Sequence, residues 1–261
     1  MGYNKFIKSG NTLEIYSYER SIQIREGQRR GHKGRNGLSG VASGGSNSLS
    51  PQEFEGKRKD NASRASMAFR RLILSNLGGS ELPILVTCTY KENQIDIKQG
   101  YADFTAFVQA LRYKYGPLFR YIAVPEFQKR GAVHFHALFW GLPETTAETE
   151  RHTRLVAGMW GHGFVYVKMT DGNEKLSSYL AKYMAKSFID YRLKNQKAYT
   201  CSRNLLRPQI VGGMNNFTLD VIAQELGATG EPTVDKTYDT HWLGKARYRV
   251  YNLDEDDKNL S

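Results

Sequence analysis

The chain's 261 residues set 37 lysines and arginines against 26 aspartates and glutamates, for a net charge of +11, and 40% of them are hydrophobic. That length and apolar content suit one good core with appendages and exclude a large second enzyme domain, while the charge favours an anionic partner. With no apolar run approaching the ~18 residues of a membrane span, no signal-peptide core and no G-x-x-x-x-G-K-[ST] phosphate loop, the expectation is a soluble cytoplasmic protein without a membrane partner or a helicase motor.

Three segments are expected along the chain. Residues 1–80 read as a basic extension. Its aromatic residues Tyr3, Phe6, Tyr16 and Tyr18 are mostly core candidates, although such rings can also stack on bases. Arg25, Arg29, Arg30, Lys33 and Arg35 face only Glu26 ahead of a Gly/Ser-rich stretch, so residues from about 25 to 50 are expected to be flexible. A basic amphipathic helix follows over 51–76, carrying Lys57-Arg58-Lys59, Arg64, Arg70 and Arg71 beside Phe69 and Leu72. Arg29, Arg30, Lys57, Arg58, Lys59, Arg70 and Arg71 are the candidate phosphate contacts.

Residues 81–195 read as the core domain. A strand is predicted over 83–90, a helix over 102–115 with Phe104, Phe107, Val108, Leu111 and Tyr115 at helical spacing, and a hairpin of strands 119–127 and 132–140. A helix over 146–158, with Thr145 or Thr146 as N-cap, and a strand over 164–168 complete a β-α-β-β-α-β order, the ferredoxin-like or RRM-like α+β pattern. Cys88 in the first strand and Cys201 in a polar loop form neither a disulfide framework nor a zinc knuckle, which suits a reduced cytosol.

The hairpin carries the first chemical constellation. In Val133-His134-Phe135-His136 the two imidazoles fall on one face of a strand, and a turn near Lys129 to Gly131 places Glu126 opposite His134. Two imidazoles and one carboxylate on one face suit Mn, Mg, Zn or Fe with open positions for water and substrate. The second constellation lies between Leu176 and Phe188. There Leu176, Leu180, Met184 and Phe188 form an apolar stripe, and Tyr179, Lys182, Tyr183 and Lys186 recur at i, i+3, i+4 and i+7 on another face.

These residues resemble the HUH endonucleases, specifically the two-tyrosine rolling-circle replication initiators of single-stranded DNA phages and plasmids. His134-Phe135-His136 is similar to the motif that names the family, Tyr179-Leu180-Ala181-Lys182-Tyr183 to its nucleophile helix, and Leu85-Val86-Thr87-Cys88-Thr89-Tyr90 to its first strand motif. The resemblance runs from about residue 82 to about 190, and Cys201 to Pro208 looks like a segment that follows the tyrosine helix in some phage-type members. It implies a central antiparallel sheet bearing the histidines, with the tyrosine helix packed across its face. It also implies a divalent metal, Mn or Mg, on His134, His136 and Glu126, and attack by Tyr183 or Tyr179, assisted by Lys182 and Lys186, on origin single-stranded DNA. The products are a 5′-phosphotyrosine link and a 3′-OH that primes a host polymerase in a bacterial host's cytoplasm; the missing motor implies a partner helicase. An HUH transposase or relaxase, a non-catalytic single-strand binder and a zinc hydrolase are the rival readings.

Residues 196–261 read as a C-terminal extension. A short helix from Asn216 to Leu226, a hairpin of Thr237–Leu243 and Ala246–Leu253 turning across Gly244-Lys245, and a frayed acidic tail are expected. His152, His162 and His241 have no ligand spacing, and His32 reads as solvated.

Overall fold

The computed structural model describes residues 2–20, 51–77, 81–142, 146–171, 175–193, 196–214, 219–228 and 230–253. The whole stretch expected to be flexible, with Arg29 and Arg30, and the acidic tail lie outside the described residues. So do the side chains of Lys57, Arg58, Lys59, Met184 and Phe188. In chain order the elements are β1 (Tyr3–Ser9), β2 (Thr12–Tyr18), α1 (Pro51–Leu74), β3 (Ile84–Tyr90), α2 (Ile97–Tyr115), β4 (Arg120–Phe127) and β5 (Val133–Trp140). Then come α3 (Thr146–Trp160), β6 (Gly163–Met169), α4 (Lys175–Ile189), β7 (Thr200–Cys201), β8 (Gln209–Met214), α5 (Leu219–Glu225), β9 (Val234–Thr240) and β10 (Gly244–Asn252).

The stretch β3-α2-β4-β5-α3-β6 is the expected α+β core. Its antiparallel sheet has the order β6-β3-β5-β4-β7, which makes β5 the middle strand. All eight residues of β5 are buried, as a strand covered on both faces requires. On one face α2 and α3 bring Phe104, Phe107, Leu111 and Trp160 against Val86, Cys88, Phe135 and Phe139. On the other, α1 and α4 bring Phe69, Leu72, Ile73 and Leu180 against Leu85, Ile122, Val124, Leu138 and Trp140. Gly100 lets α2 approach closely, since a Cβ there would stand 3.3 Å from Val133 Cγ1.

Three local expectations are corrected by hydrogen bonding. α2 starts at Ile97 rather than 102, because the Asp96 carboxylate accepts from the Lys98 backbone N–H at 2.8 Å and caps the helix five residues earlier. Cys201 is not in a loop: with Thr200 it forms β7, opposite Ile122 and Ala123 of β4. The C-terminal hairpin turns over 241–243, ahead of the expected Gly244-Lys245. There Thr240 Oγ1 accepts from the Leu243 N–H at 2.9 Å, and Gly244 takes up φ +70 where β10 begins.

The segments before and after the core share a second antiparallel sheet, β8-β1-β2-β10-β9. Phe6, Leu13, Ile15 and Tyr251 pack with Ala223 of α5 on one face of it. Arg71, in the last turn of α1, reaches the other face and pairs with the buried Glu14 of β2. Among the described residues no helix is long and apolar enough to cross a membrane.

Candidate functional site

The β4–β5 hairpin aligns the first group of side chains. Gly131 at φ +89 closes its turn, with the Gln128 N–H donating to the Ala132 carbonyl at 2.9 Å. In the resulting register Glu126 faces His134, Val124 faces His136, and on the other side of β5 Thr87 faces His136 and Thr89 faces His134. Glu126, His134, His136 and Thr87 therefore share the sheet face under α4. Register alone does not set where the carboxylate goes: Glu126 leans diagonally, its Oε2 lying 2.8 Å from His136 Nε2 while Oε1 accepts from Lys186 Nζ at 3.0 Å.

The two imidazoles differ in what they touch. His136 Nδ1 lies 3.3 Å from Thr87 Oγ1, so both of its ring nitrogens have partners. His134 Nε2 is buried and has none among the described residues. Burial, followed by the neighbouring His136, pushes the His134 imidazole down to about 4, and burial lowers His136 as well. Both rings are thus held neutral, and His136 spends its ring N–H on the Glu126 carboxylate.

An unpartnered buried lone pair costs free energy on the order of 1–3 kcal/mol unless something fills it. A divalent cation is a chemical fit. His134 Nε2 is the open donor, the Glu126 carboxylate and His136 Nε2 already meet beside it, and with that carboxylate turned to the cation a Thr87 hydroxyl accepting from His136 Nδ1–H would leave the His136 Nε2 lone pair free to bind. Among the described residues no three His, Cys, Asp or Glu side chains are gathered closely enough to grip an ion as they stand, since Glu126 is held by His136 and Lys186.

α4 supplies the second group. Leu180 is fully buried and seats the helix on the sheet, and the Ser187 hydroxyl donates to the carbonyl of Pro125, tying α4 to the residue before Glu126. The helix face beside the seat then falls over the histidines. The Tyr183 ring stacks on His136 with centroids 3.9 Å apart and planes 21° apart, and the Tyr179 and Tyr183 hydroxyls are 2.9 Å from each other. Lys186 Nζ lies 5.3 Å from the Tyr183 ring centroid. Burial, then the hydrogen bond with Tyr183, pushes the Tyr179 phenol up to about 12. Lys182 points to solvent.

The structure brings Glu126, His134, His136, Tyr179, Tyr183 and Lys186 together and leaves Lys182 at the margin. Of the basic residues on α1, Arg70 is half-exposed, whereas Arg71 is committed to Glu14 and to the Tyr16 hydroxyl. A cleft opens beside Glu126, lined by Lys129, Arg130, Lys186 and Arg192. Thr87 and Ser187 were not singled out from the sequence as site residues. Thr87 stands inside a recognised strand motif and two positions from Thr89, but nothing local indicates that its hydroxyl meets a histidine ring.

Residues 83–188, about two fifths of the chain, match the model of a family described as Replication-associated protein ORF2/G2P. The matched stretch runs from β3 through α4 and holds every residue of the cluster, while the second sheet lies outside it. The match supports a replication-initiator type of protein with DNA as its partner. No curated protein and no solved structure matches the chain.

Proposed function

We propose that this protein initiates rolling-circle replication by nicking and rejoining single-stranded DNA at an origin, through a 5′-phosphotyrosine link to Tyr183 with Tyr179 as second nucleophile. The observation that carries this reading is the stacking of Tyr183 on His136, beside Glu126, Lys186 and the unpartnered His134 Nε2. A phenol, a cation and a cluster of neutral imidazoles on one sheet face form a site for attack on an anionic phosphodiester. The family match over the same residues supports it.

His134, His136 and Glu126 would hold a divalent cation, Mn or Mg, which when bound would supply Lewis acidity toward an anionic phosphate. Lys186 offsets the negative charge that builds at phosphorus, and the His136 ring fixes the Tyr183 phenol in place. The Tyr183 oxygen bonds to phosphorus as the bond from phosphorus to the 3′ oxygen breaks. The phenolic proton leaves to solvent past Tyr179, and the departing 3′ oxygen takes up a proton from solvent. One phosphodiester replaces another, so rejoining needs no ATP, and the free 3′-OH primes a host polymerase. Tyr179, in hydrogen-bond contact with Tyr183, cleaves the regenerated origin while Tyr183 still holds the first end.

The test is a denaturing gel of the protein with labelled single-stranded hairpin oligonucleotides and Mn, with and without EDTA. A covalent adduct is expected with Mn only, greatly reduced in Tyr183→Phe and absent in the Tyr179→Phe, Tyr183→Phe double variant. An adduct that survives in the double variant overturns the assignment.

A further inference from the structure

Among the described residues β6 is an edge strand, paired only with β3, and its burial alternates residue by residue. Val165, Val167 and Met169 face the core, so the other face should carry polar residues. It carries Phe164 and Tyr166 instead, 71% and 61% exposed, followed by the exposed Lys168. Exposed edges are normally blunted with charge, and two bare rings here contribute little to folding.

Their placement is set by register. Phe164 lies across Thr89 from His134, and Tyr166 lies across Thr87 from His136, so both rings are on the site face, about 10 Å from the imidazoles at two strand spacings. Gly163 holds β6 tight against β3, because a Cβ there would come within 2.4 Å of the Thr89 carbonyl. A trough lined by Tyr166, Lys168, Lys175 and Tyr179 joins this strip to the tyrosine helix. The polybasic cleft with Lys129, Arg130 and Arg192 is on the opposite side, beside Glu126.

We propose that Phe164 and Tyr166 form a stacking track for the bases of the single strand flanking the scissile phosphate, with Lys168 on its backbone; this rests on the nicking reading for its position, not for its binding. Rings two residues apart on a strand stand about 7 Å from each other, twice the 3.4 Å rise of a stacked duplex strand. Only an unstacked, stretched strand can lay successive bases on both. Aromatic side chains bind any base through its π-face, so the track selects single-stranded over duplex DNA rather than one sequence over another.

The experiment uses the full chain with Tyr179→Phe and Tyr183→Phe in EDTA, so that binding is read without cleavage, by anisotropy of a labelled short oligothymidylate. Phe164→Ala and Tyr166→Ala are each expected to weaken binding roughly tenfold, while Tyr166→Phe binds as the parent does. An oligonucleotide with abasic sites should lose affinity for the parent but bind the alanine variants no worse than the intact strand does. Both rings are exposed, so unchanged melting curves are expected to accompany these losses. Unchanged affinity in both alanine variants overturns the track. So does a parent that self-associates through these rings, losing its dimer but not its DNA affinity in the variants. Ring-dependent binding without any adduct from the tyrosine-intact protein would remove the nicking reading and leave the track standing. An adduct whose yield ignores both rings, with binding unchanged, would do the reverse.

Discussion

On the second sheet, Glu14 and Arg71 sit between the phenols of Tyr16 and Tyr248; on the first, Glu126 and Lys186 sit beside the phenols of Tyr183 and Tyr179. The parts are alike, and their states differ. Glu14 is buried and fully used: Oε2 accepts from Arg71 Nε at 2.5 Å, and Oε1 accepts from Arg71 Nη2 at 3.1 Å and from the Tyr248 hydroxyl at 2.6 Å. Burial, then Glu14, pushes the Tyr16 phenol up to about 12 and burial raises Tyr248 too, as burial raises Tyr179, so the contrast lies in the carboxylates and not in the phenols. Around Glu126 the valences are not all used. Among the described residues His134 Nε2 has no partner, Lys186 is mostly exposed, and Tyr179 is partly open to solvent. A closed cluster holds the fold together, whereas an open one keeps capacity for a ligand.

The largest effect that could break this contrast is on stability. Glu14→Ala leaves the half-buried Arg71 guanidinium without its carboxylate, which costs about 3 kcal/mol and lowers Tm by on the order of 10 °C. Glu126→Ala loses contacts to a solvent-screened lysine and a neutral imidazole, and should cost about 1 kcal/mol or less. Thermal and urea unfolding of both variants measures the difference. Equal losses would mean that the site-face cluster is structural as well.

His134→Ala reverses the pattern. Removing an orphaned buried nitrogen spares its desolvation, so the variant's stability without metal falls less than a buried deletion usually costs. Covalent adduct formation should drop by about 100-fold, the size of a lost transition-state stabiliser, while Tyr16→Phe leaves it unchanged. In a thermal shift assay Mn at about 100 times its Kd should add about 2.7 kcal/mol to the parent and nothing to His134→Ala. Equal Mn stabilisation of both proteins would take the cation away from this face.

What the sequence discloses about these two clusters follows from how local their signals are. The hairpin, its Gly131 turn and the facing of Glu126 with His134 are set within fifteen residues, and the alternation of β5 and the helical period of α4 carry the rest of that arrangement. The second sheet has no such signature. β2 pairs with β10, Leu13 facing Tyr251 across almost the whole chain, and β1 pairs with β8; such pairings depend on partners that no window contains. Arg71 read as a phosphate contact for the same reason, since its carboxylate partner lies on another element. Side-chain direction was the other gap. Periodicity puts Phe164 and Tyr166 on one face of a strand without saying that the strand is an edge and that face bare, and register puts Glu126 near the histidines without saying that Lys186 will turn it toward His136.

The smallest contrast lies inside α4 itself. Lys182 and Lys186 are equivalent in sequence, each three residues beyond a tyrosine, but only Lys186 reaches Glu126 and the Tyr183 ring. If the ammonium acts by offsetting charge at the phosphate, Lys186→Gln should slow adduct formation by roughly tenfold, the size of a partly exposed charge contact, and Lys186→Arg should restore most of it. Lys182→Gln should slow it no more than about twofold, through the general field of a basic surface, and that loss should disappear in high salt while the Lys186 effect is only reduced. Single-turnover adduct rates at low and high ionic strength separate the two. If both variants are equally slow and equally salt-sensitive, the position of Lys186 beside Glu126 has no role in the chemistry, and the helix contributes only its tyrosines.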